Sequence, residues 1–163
     1  MFILSVLLSF LIPLNVAFKL VTLFGTFLLP FALYLCLKNC NQKYPIPQLG
    51  LVGAIFFLFI EKFSIYGANL PSTLAGEFSY SFSLSLFFIF FGFLVRGLKE
   101  NRFLVLNILL LSFMVISHPL PVVIATMTAP VLLFLGERNL KSYKKRFIYL
   151  AKVFLIAFCL TAF

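Results

Sequence analysis

The chain alternates between long apolar runs and short polar gaps. Seven runs stand out: Phe2 to Phe18, Leu20 to Leu37, Ile46 to Ile60, Phe78 to Val95, Phe103 to Ser117, Val122 to Leu135 and Phe147 to Phe163. They are too long and continuous for barrel strands, and outside a closed barrel only a helix satisfies its own backbone in lipid. The pattern therefore predicts an all-α fold: a polytopic transmembrane bundle of about seven apolar helices, forming one transmembrane domain over residues 1–163. Several runs fall short of the ~20 residues that a hydrocarbon core requires. Either flanking residues dip into the interface, or two runs form a re-entrant hairpin. The first two runs, divided by little more than Lys19, are the pair to which the hairpin reading applies most directly.

Composition sharpens the class. The chain is 63% hydrophobic and 10% charged, against roughly 45–50% and 25% in a soluble domain. Its net charge of +9 is unevenly placed, because ten of the thirteen Lys and Arg residues occupy every second gap. Retained positive charge marks the cytoplasmic face, so loops 38–45, 96–102 and 136–146 are expected in the cytoplasm and the protein multi-pass in the plasma membrane. With the bases confined to short loops, no face remains for nucleic acid, and membrane lipids are the expected surroundings. Three cysteines without metal spacing, Cys36, Cys40 and Cys159, read as reduced packing residues. Tyrosines near run ends, among them Tyr34, Tyr44, Tyr66, Tyr143 and Tyr149, replace the absent Trp as interface anchors. The first run lacks the basic start of a cleaved signal. The abrupt apolar beginning and the apolar ending at Phe163 suggest part of a longer multispanning protein.

The gap from Glu61 to Glu77 is the richest in chemistry and is expected to face outward. Pro71 suits the first turn of a helix with Asn69 as its cap, and helix from Ser72 onward carries Glu77 about two turns in. An acid at the lip of an apolar run is costly unless paired or solvated. Glu77 is therefore the leading site residue, set against the plainer reading of an interfacial acid paired with Lys62. Glu61 reads as a boundary marker. Ala75, Ser79 and Ser83 align at i, i+4 and i+8 as a small-residue packing stripe. The lone histidine, His118, lies in Ser117-His118-Pro119-Leu120-Pro121, a turn between two helices. Imidazole suits phosphate binding or proton transfer, although a turn histidine often only makes a local hydrogen bond. His118, Lys62 and Lys19 are expected on the same side as Glu77. No Gly-rich phosphate loop, nucleophile elbow, HExxH or Cys-rich metal pattern occurs, and without Asp no DxD pair can form.

The stretch Ala17-Phe18-Lys19-Leu20, the block Tyr66 to Leu86 and the turn Ser117 to Pro121 together resemble a prokaryotic multispanning family labelled 6-pyruvoyl-tetrahydropterin synthase-related. Ser72-Thr73-Leu74-Ala75-Gly76-Glu77-Phe78 is the most specific part. The label implies no pterin chemistry, because the soluble synthase uses three histidines on zinc and this chain has one histidine. The resemblance implies an architecture like that of GT-C membrane glycosyltransferases, which take sugar from a polyprenyl-phosphate donor outside the cytoplasm. It assigns Glu77 to catalysis or to holding a divalent metal, and Lys62, Lys19, His118 and Asn69 to substrate binding. Those enzymes usually carry an essential acid in an early outward loop, which this sequence lacks. A noncatalytic membrane or assembly subunit, and a lipid-substrate transporter, therefore stay open as alternatives. The transporter reading expects ionisable residues inside several helices, and the third, fifth and sixth runs hold none.

Overall fold

The computed structural model describes residues 2–62, 65, 67–134 and 139–162, with the side chains of Phe2 and Ile3 left aside. Tyr66, Leu135 and Phe163, named above, and positions 136–138 of the third basic loop lie outside the described residues. Among those described the fold is all-helical: α1 (Phe2–Ser9), α2 (Leu14–Asn39), α3 (Ile46–Leu58), α4 (Leu70–Leu74), α5 (Phe78–Glu100), α6 (Leu104–Ser117), α7 (Pro119–Thr128), a 3₁₀ segment (Ala129–Phe134) and α8 (Leu140–Thr161). Among the described residues two helices, α2 and α5, are long and apolar enough to cross a membrane. At 1.5 Å per residue their 26 and 23 residues reach about 39 and 34 Å, beyond the ~30 Å hydrocarbon core. Helices α3 and α6, with 13 and 14 residues, reach only about 20 Å.

Several boundaries differ from the hydropathy pattern. The first two runs divide at Pro13, and Lys19 lies inside α2. Proline lacks an N–H and pushes its predecessor out of the helical region, whereas one lysine near a helix end costs little when it reaches water. The break between α4 and α5 spans Ala75 to Glu77, where Gly76 adopts φ +114°. Glu77 is therefore at the start of α5 and not two turns into a helix. Loop 136–146 is helical from Leu140, because the Asn139 side chain caps α8 by accepting from Lys141 N–H at 3.2 Å, and Lys and Arg are good helix formers. The sixth run starts earlier, at Pro119, and tightens into the 3₁₀ segment, which contains Pro130.

Helices α2 and α5 run parallel and form the central seam. Gly25 lies against the Phe82 backbone and Gly92 against the Cys36 backbone, so the two helices approach through small residues in the manner of membrane helix pairs. The buried serines of this seam are Ser81 and Ser85, and Ser83 turns towards α6. The expected stripe through Ala75 and Ser79 is not the buried one, because Ala75 lies in the break and is exposed. On the other side of α5, Phe90, Leu94, Leu111, Met114 and Val153 close a core of large side chains shared with α6 and α8. Tyr149 belongs to this packing and is no interface anchor: its hydroxyl donates to Arg102 O at 2.6 Å and accepts from Asn107 Nδ2 at 2.9 Å. The outer surface remains apolar, with Phe10, Leu11, Phe56, Phe113 and Phe158 exposed, as a lipid-facing surface would be.

This path separates two ends. Arg96 Nη1 meets Asn39 Oδ1 at 3.4 Å, its guanidinium stacks on Phe103 at 5.1 Å, and Arg146 Nη1 donates to Leu133 O at 3.3 Å. These contacts gather the C-terminal ends of α2 and α5 and the start of α8 into one basic end. At the other end lie the acidic gap, α4 and His118.

Candidate functional site

The hydroxyl-rich end is built around α4, a helix of five residues. Asn69 Oδ1 accepts from Ser72 N–H at 3.0 Å, and its Nδ2 donates to Ile60 O. One fully buried side chain thus caps α4 and ties it to the chain leaving α3. Pro71 occupies the first turn, where no N–H is needed. The cap expected from the sequence is present. Beneath it, Thr73 Oγ1 bonds Thr26 Oγ1 at 2.6 Å and Ser81 Oγ at 2.8 Å, linking α4, α2 and α5 through buried hydroxyls. Ser85 Oγ donates to Gly25 O at 2.7 Å one turn further along α5. Polar groups buried in this way need partners, and this chain of partners ties α4 to α2 and α5.

Glu77 precedes the first turn of α5, half-buried. Its carbonyl accepts from Ser81 N–H at 3.1 Å, while its carboxylate has no hydrogen-bond or ion-pair partner among the described residues. Three positions on, the Tyr80 ring meets the His118 imidazole edge to face at 5.3 Å. His118 Nδ1 accepts from Leu120 N–H at 3.3 Å, capping α7, and its carbonyl accepts from Ser83 Oγ at 3.2 Å. An accepting Nδ1 leaves Nε2 as the nitrogen that carries a proton. Phe18 and Phe78 are in edge contact at 5.9 Å, so their chain neighbours Lys19 and Glu77 fall at one level of the fold. Lys19, Glu61 and Lys62 are exposed. No ion pair joins Glu77 to Lys62 among the described residues; the pair found there is Arg96–Glu100, 2.8 Å apart at the opposite end.

The structure thus brings Glu77, Tyr80 and His118 to one place, puts Lys19 at the same level, and uses Asn69 entirely for support. Tyr80 was not singled out from sequence, although its spacing of three residues from Glu77 on a helix is the signal that links them. Thr26 and Thr73 carry no such signal, since their meeting depends on how α2 and α4 pack. Among the described residues no three or more His, Cys, Asp or Glu side chains gather as a metal site would require.

Residues 1–163 match the 6-pyruvoyl-tetrahydropterin synthase related domain, described as a membrane protein. The chain belongs to that family. No curated protein and no solved structure matches it. Membership in a 6-pyruvoyl-tetrahydropterin synthase-related membrane protein agrees with the exposed apolar surface and with the two long helices α2 and α5.

Proposed function

We propose that this chain is the membrane-embedded part of a GT-C-type glycosyltransferase, a multi-pass plasma membrane protein whose Glu77 end faces away from the cytoplasm. The observation that carries the reading is the half-buried Glu77 carboxylate, which has no hydrogen-bond or ion-pair partner among the described residues and lies at the end opposite the clustered bases. A carboxylate in this position can orient an acceptor hydroxyl and take its proton. Lys62 and Lys19 supply positive charge for a polyprenyl-phosphate donor, whose departure leaves developing negative charge to be stabilised. His118 offers its Nε2 beside Tyr80, and Asn69 positions the loop. No step is assigned to a metal, since the described residues assemble no donor set.

The test is sugar transfer by the full-length protein in proteoliposomes, with radiolabelled polyprenyl-phosphate-linked hexoses as donors. Transfer is expected for the native protein, with a loss of about 100-fold or more in Glu77→Gln. Equal transfer by native protein and variant would remove Glu77 from the chemistry. A second reading, a noncatalytic membrane or assembly subunit, is favoured by one observation: the acceptor atoms of Asn69 and His118 are both spent on helix caps. It expects Glu77→Gln to be silent in every assay of the assembled protein.

A further inference from the structure

The basic end holds a cavity of about 680 Å³ between the C-terminal ends of α2 and α5 and the turn after α2, within the range of small-molecule sites. Its wall carries Lys38, Arg96 and Lys99 against a single acid, Glu100. Arg96 Nε is engaged by Glu100 at 2.8 Å. Lys38 Nζ lies 5.9 Å from the Tyr34 ring centroid, and among the described residues neither Lys38 nor Lys99 has a carboxylate partner. Bases at helix C-termini also answer the helix dipole, so the magnitudes decide. Two C-termini contribute about −1 in total, whereas the four side chains sum to +2 (three bases minus one acid). A positive remainder is left in a concave space, and Leu35 and Phe93 add an apolar part to its lining.

We infer that this cavity binds the headgroup of an anionic phospholipid. Its phosphate is taken by Lys38, Lys99 and the outer face of Arg96, and the first acyl carbons lie on Leu35 and Phe93. A free phosphate ion shares the charge chemistry but has no use for the apolar part. The cavity also opens where α2 and α5, the two described helices both long and apolar enough to cross a membrane, end together, which is the depth of lipid headgroups. Basic pockets between membrane helices at this depth suit anionic lipids. Lipid binding here requires no transfer activity at the opposite end, so either can fail without the other.

The experiment is native mass spectrometry of the purified full-length protein, titrated with phosphatidylglycerol or phosphatidylcholine, with inorganic phosphate as competitor. Phosphatidylglycerol is expected to bind at least about 10-fold more tightly than phosphatidylcholine, and the double variant Lys38→Gln/Lys99→Gln to lose about 30-fold in phosphatidylglycerol affinity. Glu100→Gln removes the opposing charge and frees Arg96, so it is expected to tighten binding, a gain that a misfolded variant does not produce. Lys144→Gln, which alters a base outside the cavity wall, is expected to change nothing. Equal binding of the two lipids would overturn the assignment. So would a Lys144→Gln effect as large as that of the double variant, which means diffuse charge, a weaker Glu100→Gln, or displacement of the lipid by inorganic phosphate at equal affinity, which means a free-phosphate site.

Discussion

Asn69 and Glu77 lie at the same end of the molecule and do opposite work. The Asn69 side chain is fully buried and uses both its oxygen and its nitrogen, so Asn69→Ala removes a helix cap and leaves Ile60 O unpaired. The expected cost is about 1–3 kcal/mol, visible as a lower melting temperature in detergent. Glu77→Gln breaks no side-chain hydrogen bond or ion pair among the described residues and is expected to leave stability within about 0.5 kcal/mol. A fall in stability for Glu77→Gln equal to that of Asn69→Ala would mean that Glu77 is structural. The Asn69 cap was legible in the sequence, because Asn two residues before Pro at a helix start has one local explanation. The solvent exposure of Lys19 and Lys62 was not, because exposure is a property of packing.

At the scale of elements, the α2–α5 seam depends on two glycines and a row of small hydroxyls. A Cβ on Gly25 would come within 2.5 Å of the Phe82 backbone, and one on Gly92 within 2.7 Å of the Cys36 backbone. Both neighbours are main chain, so a helix must move. Gly25→Leu and Gly92→Leu are expected to destabilise the protein by about 1–3 kcal/mol each. Gly53 on α3 has open space around its missing Cβ, so Gly53→Ala is expected to be neutral or to stabilise by up to about 1 kcal/mol. Thermal unfolding of the three variants side by side checks this, and a destabilising Gly53→Ala would mean that α3 packs against something further. Hydropathy found the apolar runs, including the start of α5 at Phe78, but divided the first two at Lys19 instead of Pro13, and the helix expected from Ser72 through Glu77 breaks at Gly76. Hydropathy measures the cost of burying side chains, whereas Pro13 and the positive φ of Gly76 act on the backbone.

For the whole molecule, the two ends differ in charge, and the reading of function depends on which side each faces. In a cysteine-free background, single cysteines at Lys62 and Pro119 report one end, and cysteines at Tyr44 and Lys144 report the other; all four positions are exposed. With a membrane-impermeant thiol reagent on intact cells, labelling is expected at Lys62 and Pro119 and not at Tyr44 or Lys144. The reverse pattern would put Glu77 in the cytoplasm and end the outward-facing glycosyltransferase reading. The lipid cavity is unaffected by that outcome, because both leaflets contain headgroups.

The sequence by itself determined the membrane class, the helical character and the separation of bases from the Glu77 gap, because each follows from the free energy of placing a run of residues in lipid or water. It also determined the cap at Asn69, which depends on residues within three positions of one another. Only the tertiary structure decided that Tyr80 meets His118, that Thr26, Thr73 and Ser81 join in one hydroxyl chain, and that Lys38 and Lys99 wall a single cavity. These side chains lie between 8 and 61 positions apart in the chain. What brings them together is the close parallel approach of α2 and α5 and the packing of α4 and α6 around it.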